Sequence, residues 1–491
     1  MIHALDPAEE RGLGRSNLDR EIRDAFAKLS AERVATLDRR LVEEALNRGL
    51  VYERGGVAEA IRMMLRPVGI MPDMLAYLHY VSLAIQNAVK RMPDWYLQDE
   101  EVRRVVPLTP DEEQWLQDTW GRGHSEHNPV FGRMDASVDF TAPLWKESLK
   151  FLETNLSGIG GIHYTPTCEL IAAEVELHEA RTVAPELDLE PGSDLRDLFV
   201  QELMDHLEAT GRTGRNLCLV EPKYAGEGPV EQERLARYLL DEHGLTTLHA
   251  DPADLHLKNG EVWFGDVAVD IAYRDYEVRD LLALERSGVD IEPMRALFRE
   301  NRVVSSMAGE FDHKSNFEIL SDPKFTERYF DAEERQVFRR HVLWTRVLSD
   351  RRTSLPHGNS ADLLEHVRVE RERLVIKPNR SYGGSGIVIG HLTEQSAWEG
   401  EIEKALGDEP GTWVVQRLAR IPVAEFPIID SGGNVRVEPF FVVMGFAPTK
   451  YGVGILGRAS QKMVVNVAQR GGLCAVLVGR PSTHLHGPAP T

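Results

Sequence analysis

The sequence predicts a mixed chain: a helical N-terminal region, an α/β unit with a Rossmann-like, mostly parallel sheet, and an α+β unit of antiparallel strands. Three observations carry this. Across residues 16–120 apolar side chains recur at three- and four-residue steps, as Ile22, Phe26, Leu29 and then Val34, Leu37, Leu41 do, the spacing of amphipathic helices. After a Gly/His/Asn-rich break at residues 121–129, short strand-like runs alternate with helical ones, the signature of a sheet crossed by helices. Beyond residue 357 the apolar runs lie close together, at 374–377, 387–390, 413–416, 435–444 and 463–468, which reads as antiparallel strands.

Within the middle unit, residues 133–140 and 149–155 read as strands, 195–209 as a helix, 216–220 as a buried strand, and 231–243 as a helix stopped by Gly244. Residues 246–250 and 267–273 supply further strands. The division this implies is 1–125, 126–310 and 311–480, with a Pro/Gly/His-rich tail at 481–491.

At 491 residues the chain exceeds the ~100–200 of one domain, so two or three units are expected. It is 42% hydrophobic and 27% charged, which suits a folded globular protein. Acidic residues number 78 against 57 Lys plus Arg, a formal charge of -21 with no basic run. That field opposes nucleic acid and anionic membranes, and neither is an expected partner. Cys168, Cys218 and Cys474 are far apart and in no CxxC spacing, so neither a disulfide framework nor a zinc knuckle is indicated. With no leader-like or membrane-spanning stretch, a cytoplasmic location is the expectation.

The sharpest local feature is a glycine-rich turn between two strand-like runs, Lys377-Pro-Asn-Arg-Ser-Tyr382-Gly383-Gly384-Ser385-Gly386. Glycines accept positive φ and lack side chains, so their N–H groups can close over phosphate oxygens. No helix follows and no Gly-Lys-Ser/Thr occurs, so neither a P-loop nor a dinucleotide fingerprint fits. Two readings remain: a hairpin lid over a nucleotide, with the Lys377 ammonium at the end of the incoming strand to meet a phosphate, or an ordinary glycine hairpin with a surface lysine.

Upstream lies a second constellation. Residues two apart on a strand share a face, which groups Arg133, Asp135 and Asp139 on one strand and Glu153 and Asn155 on the next. If residues 143–148 connect them, the strands pair and one face offers hard oxygen ligands beside a guanidinium. That set suits Mg²⁺ shared with substrate phosphates, the alternative being a solvated polar strand face.

Taken together, these segments resemble the circularly permuted ATP-grasp family and are similar in layout to glutathionylspermidine synthetase-type ligases. The pattern is carried by Arg133-Met-Asp135, Glu153-Thr-Asn155, His313-Lys314 before a helix, the Lys377 glycine loop, Val414-Val-Gln416 and Gly457-Arg458, in that order from about residue 131 to 472. Residues 1–120 lie outside it. The resemblance implies a pre-ATP-grasp α/β unit carrying the metal hairpin, then a nucleotide-binding unit in permuted order.

It also implies ATP- and Mg²⁺-dependent joining of a carboxylate to an amine through an acyl phosphate, on an amino acid or small peptide. Metal ligands would be Asp135 or Asp139, with Glu153 and Asn155. Lys314, Lys377, Tyr382, Gly383, Gly384, Ser385, Gly386 and Gln416 would hold the nucleotide, and Arg133 and Arg458 would stabilise the reacting charge. Glu438 and Asn466 compete as metal ligands, since unpermuted relatives place theirs late. Glu221, Lys223 and Arg274, at strand ends, are candidate substrate contacts. The alternatives are a non-catalytic ATP-binding regulator or scaffold, and a phosphotransferase of the same fold.

Overall fold

A computed structural model describes residues 18–224, 228–381, 383–430, 432–463 and 471–479. Its centre is an antiparallel sheet drawn from distant parts of the chain. The strand order is Gly472–Cys474, Gly452–Ser460, Val435–Thr449, Arg133–Ser137, Lys150–Asn155, and Val423–Ile429 also pairs with Val435–Thr449. The hairpin read from sequence as part of the middle unit is therefore hydrogen-bonded to residues some 300 positions downstream, Gly445 lying opposite Asp135.

Two further sheets flank it. One is four-stranded and parallel, in the order Val303–Val304, Ile271–Arg274, Leu217–Val220, Thr247–Ala250, and its buried strands are apolar as parallel sheets require. The other is antiparallel, in the order Thr345–Val347, Trp413–Arg417, Leu374–Pro378, Val388–Ile389. Helix Gln232–His243 ends at Gly244 in the left-handed conformation, φ 63°, as the glycine signal predicts. Among the described residues no helix is long and apolar enough to cross a membrane.

The N-terminal region is not purely helical. Helices Leu18–Ala27, Ala31–Asn47 and Pro72–Val89 are joined by strands Val51–Arg54, Val57–Ala60 and Val68–Ile70. The first two strands form a hairpin turned at Gly55 and Gly56, both at positive φ. Val68–Ile70 runs parallel to Val476–Gly479, joining the N-terminal region to the last described strand. Helix Pro72–Val89 starts with proline in its first turn and buries Met74, Leu78, Val81, Ile85 and Val89. It backs the central sheet, Gln86 Nε2 donating to Pro448 O at 3.0 Å. Of the sequence-predicted strand at 463–468, only residue 463 lies among the described residues.

Candidate functional site

The two antiparallel sheets face each other across a cavity of about 590 Å³, lined by Arg133, Asp135, Glu153, Asn155, Arg458 and others on one side and by Lys377, Gly383, Gly384 and Gln416 on the other. Residues near 150 and near 380 thus meet at one crevice.

Register sets the floor. In the hairpin Arg133 pairs with Asn155 and Asp135 with Glu153, so all four project from the same face. A bulge follows: Ala136 pairs with Phe151, leaving Leu152 unpaired. Its freed carbonyl accepts from Gln416 Nε2 at 3.1 Å, so the bulge fastens one sheet to the other. Gln416 also donates to Thr345 Oγ1 at 2.9 Å and accepts from Lys377 Nζ at 2.8 Å. Every polar atom of its side chain is engaged in positioning the lysine.

Asp135 sits between two guanidinium groups. Arg133 Nε donates to its Oδ1 at 2.9 Å, and Arg458 Nη2 lies 2.8 Å from Oδ2. Burial alone would push its carboxyl up, but the two charges outweigh burial and hold it down at about 2. Arg133 Nη1 also donates to Gly160 O at 2.7 Å. This packing needs Gly445 beneath it, where a Cβ would come within 2.5 Å of Arg133 Cδ and 2.9 Å of Asp135 Oδ1.

Glu153 Oε2 pairs with Lys314 Nζ at 3.3 Å, and that ammonium donates to Ser381 O at 2.6 Å, at the root of the glycine loop. The helix after Lys314 spans Asn316–Ser321. Asn155 donates through Nδ2 to Arg133 O at 3.3 Å. Lys377 is buried; burial, reinforced by Lys314 and opposed by Glu153, lowers its ammonium to about 8. At this end of the cavity Arg133, Arg458 and Lys377, with Lys314 behind Glu153, outnumber the two carboxylates Asp135 and Glu153, a local surplus of positive charge. Arg458 Nε is buried with no hydrogen-bond partner, and an unmade bond of that kind is what an incoming oxyanion would satisfy.

The loop's root is braced. Asn379 Nδ2 donates to Ser315 Oγ and Gly411 O, and Ser315 N donates to Asn379 Oδ1. Arg380 forks onto the buried Glu112 of helix Pro110–Thr119, at 3.0 and 2.9 Å, and reaches Glu277 at 3.1 Å. Gly383, Gly384 and Gly386 have φ of 71°, 73° and 71°, the conformation the glycine reading requires.

Not every predicted residue joins the cavity. Asp139 lies beyond the strand, which ends at Ser137, accepts from Thr141 N and Oγ1, and is not among the lining residues. Ser385 and Gly386 are likewise absent from the lining, and Tyr382 and Asn466 lie outside the described residues. Glu438 accepts from Gln461, apart from the lining. Arg274 is fully buried against Glu310 at 2.6 Å and donates to Ser305 O and Ser306 O, a structural rather than substrate-facing role. Among the described residues no three His, Cys, Asp or Glu side chains cluster as a metal site. Hard-oxygen donors are nonetheless present in Glu153 and Asn155.

Sequence reasoning missed two walls. Asp275, Tyr276, Glu277 and Asp280 form one, and Tyr52 and Ile61 from the N-terminal hairpin contribute to another. Asp275 is pushed up to about 8 by burial and then by Glu221, Glu231 and Asp280. The Asp275-Tyr-Glu277 run after a buried strand was the available signal for the first, and Gly55-Gly56 between valine-led runs for the second.

Comparison with solved structures decides the fold. A glutathione synthetase-like effector from Globodera pallida, in its apo form, superposes with a TM-score of 0.63 at 11% identity, covering 91% of this chain and 98% of that one. The two proteins share a fold. No protein-family model matches the sequence, and no curated protein matches it either.

Proposed function

We propose that the protein is an ATP- and Mg²⁺-dependent ligase of circularly permuted ATP-grasp type that joins a carboxylate to an amine through an acyl phosphate. The observation that carries this reading is the convergence of Arg133, Arg458, Lys377, Glu153, Asn155, Gly383 and Gly384 on one cavity, with Lys314 paired to Glu153 beside it. The glutathione synthetase-like neighbour supports it at the level of fold.

In this reading the nucleotide lies between the two sheets, with Lys314 and Lys377 on its phosphates and Gly383 and Gly384 closing over them. Glu153 and Asn155 are the side chains that would hold Mg²⁺, which would supply charge neutralisation for two approaching anions. Asp135 fixes both arginines. The substrate carboxylate oxygen bonds to the γ-phosphorus as the bond to the β–γ bridging oxygen breaks and ADP leaves. The amine nitrogen then bonds the acyl carbon, phosphate leaves, and the nitrogen loses a proton. Arg133 and Arg458 bear on the charge developing in both steps, a contribution of about 3–4 kcal/mol for a well-placed donor. Loop closure excludes water from the activated acyl group.

The test is ADP release by the purified chain with ATP, Mg²⁺ and pooled carboxylates and amines. Release requiring both substrates supports ligation, and Glu153→Gln should abolish it. Amine-independent phosphate transfer would identify a phosphotransferase. Nucleotide binding without turnover across the pools would identify a non-catalytic regulator.

A further inference from the structure

The cavity walls beyond the phosphate-binding cations are sorted by polarity. Leu473 lies across the strand pair from Arg458, and Leu456 precedes Arg458 by two residues on the same face. Ile61, Tyr164 and Leu473 belong to one buried apolar cluster, with Tyr52 and Leu456 packed against it, and all five line the cavity. Two polar groups at and behind this patch, the Tyr164 hydroxyl and the Glu231 carboxylate, have their hydrogen bonds made within the protein. Tyr164 accepts from Val230 N at 2.7 Å and donates to Val51 O, so it offers the cavity its ring. Glu231, buried behind, accepts from the N–H groups of Gly161, His163 and Tyr164 at 2.7, 2.9 and 3.2 Å. The cavity's remaining carboxyl lining is Asp275, Glu277 and Asp280.

We infer that the acyl donor is a monocarboxylate with an uncharged, apolar body, which packs on Tyr52, Ile61, Tyr164, Leu456 and Leu473 while its carboxylate meets Arg458. This deepens the ligase reading and rests on it. Burial of an apolar body against this patch is favourable, whereas charged groups there would be desolvated without partners. A second carboxylate placed on the apolar patch would be buried without a cationic partner, so a peptide with several carboxylates is disfavoured there.

The test uses the full chain with ATP, Mg²⁺ and hydroxylamine as a small amine. The donor oxygen bonds to the γ-phosphorus and ADP leaves; hydroxylamine nitrogen then bonds the acyl carbon, phosphate departs with the carbon–oxygen electron pair, and the nitrogen loses a proton to solvent. 3-Phenylpropanoate and hexanoate should yield hydroxamate with kcat/KM at least about tenfold above glutarate and glutathione. Binding is measured separately by calorimetry with 3-phenylpropanoate in the presence of Mg²⁺ and ADP. Leu456→Asn and Tyr52→Ser should each weaken it about tenfold while leaving Mg²⁺–ADP affinity unchanged.

Hydroxamate from glutathione or glutarate alone would overturn the inference and leave the ligase reading standing. Binding of 3-phenylpropanoate that both variants weaken, with no turnover of any carboxylate, would keep the subsite and overturn the ligase. Failure of the apolar carboxylates both to bind and to react would overturn the subsite.

Discussion

Replacing Gly445 with alanine should disarm the cavity floor while leaving the fold in place. The residue is not among the positive-φ glycines, so alanine brings no backbone strain. The new methyl would lie 2.5 Å from Arg133 Cδ, 2.9 Å from its Nε and 2.9 Å from Asp135 Oδ1. Ordinary carbon contacts need ~3.5–4.0 Å, so the guanidinium must withdraw by about 1 Å. That retreat stretches the 2.9 Å bond to Asp135 and the 2.7 Å bond to Gly160 O past useful length. Each charge-assisted bond is worth about 1.5–3 kcal/mol, and overpacking costs about 1–3 kcal/mol. A displacement of ~1 Å in a catalytic group lowers rate by about a hundredfold. The assay is hydroxamate formation with ATP and Mg²⁺, alongside thermal unfolding. Gly400→Ala, whose Cβ enters open space, is the control. A Gly445→Ala protein with full kcat/KM would refute the reasoning, because Arg133 would then not need the position assigned to it.

Three further outcomes follow from the same geometry. Lys377, held near 8 by burial, loses its proton as pH rises through that value, so nucleotide affinity should fall from pH ~7 to ~9. Phosphate charge should raise the lysine's pKa, giving proton uptake on binding in calorimetry, and Lys377→Gln should remove both effects. Glu112→Gln should weaken Mg²⁺–ADP binding by freeing Arg380 at the loop root, whereas Asp111→Asn, at an exposed pair with Arg286 on the same helix, should not. An equal response in both variants would point to a general loss of stability. Asp275 has a folded pKa raised from 3.8 to about 8, so the native state binds the extra proton and stability falls as pH rises through that window. Asp275→Asn should flatten the dependence of Tm on pH there, and an unchanged slope would count against a buried, crowded carboxyl.

The sequence was most legible where chemistry is local. The glycine loop shows because three glycines in four residues have few other uses, and Gly383, Gly384 and Gly386 do take positive φ. The pairing of Asp135 with Glu153 follows from the two-residue period of strands, once the two runs are taken as a hairpin. What the sequence hid depends on long-range pairing. Nothing near residue 135 announces that its neighbour is Gly445, or that Arg133 lies flat only because residue 445 has no Cβ. Asp139 has the right spacing to share the face of Asp135, yet the strand ends at Ser137 and Asp139 turns to cap Thr141. Gln416 is expected on the nucleotide from the family resemblance, and what the sequence did not show is that its amide bonds Lys377, Leu152 and Thr345 across the two sheets. The helical reading of residues 16–120 missed the 51–60 hairpin because its strands have four residues each, too few to break a helical pattern by eye.

The central claim is that the 133–155 hairpin and the 377–386 loop enclose one triphosphate. A crystal structure with Mg²⁺ and a non-hydrolysable ATP analogue tests it most directly. The account predicts the γ-phosphate between Lys377 and the Arg133–Arg458 pair, with the metal on Glu153 and Asn155. A nucleotide bound elsewhere, or a γ-phosphate turned away from both arginines, would contradict it.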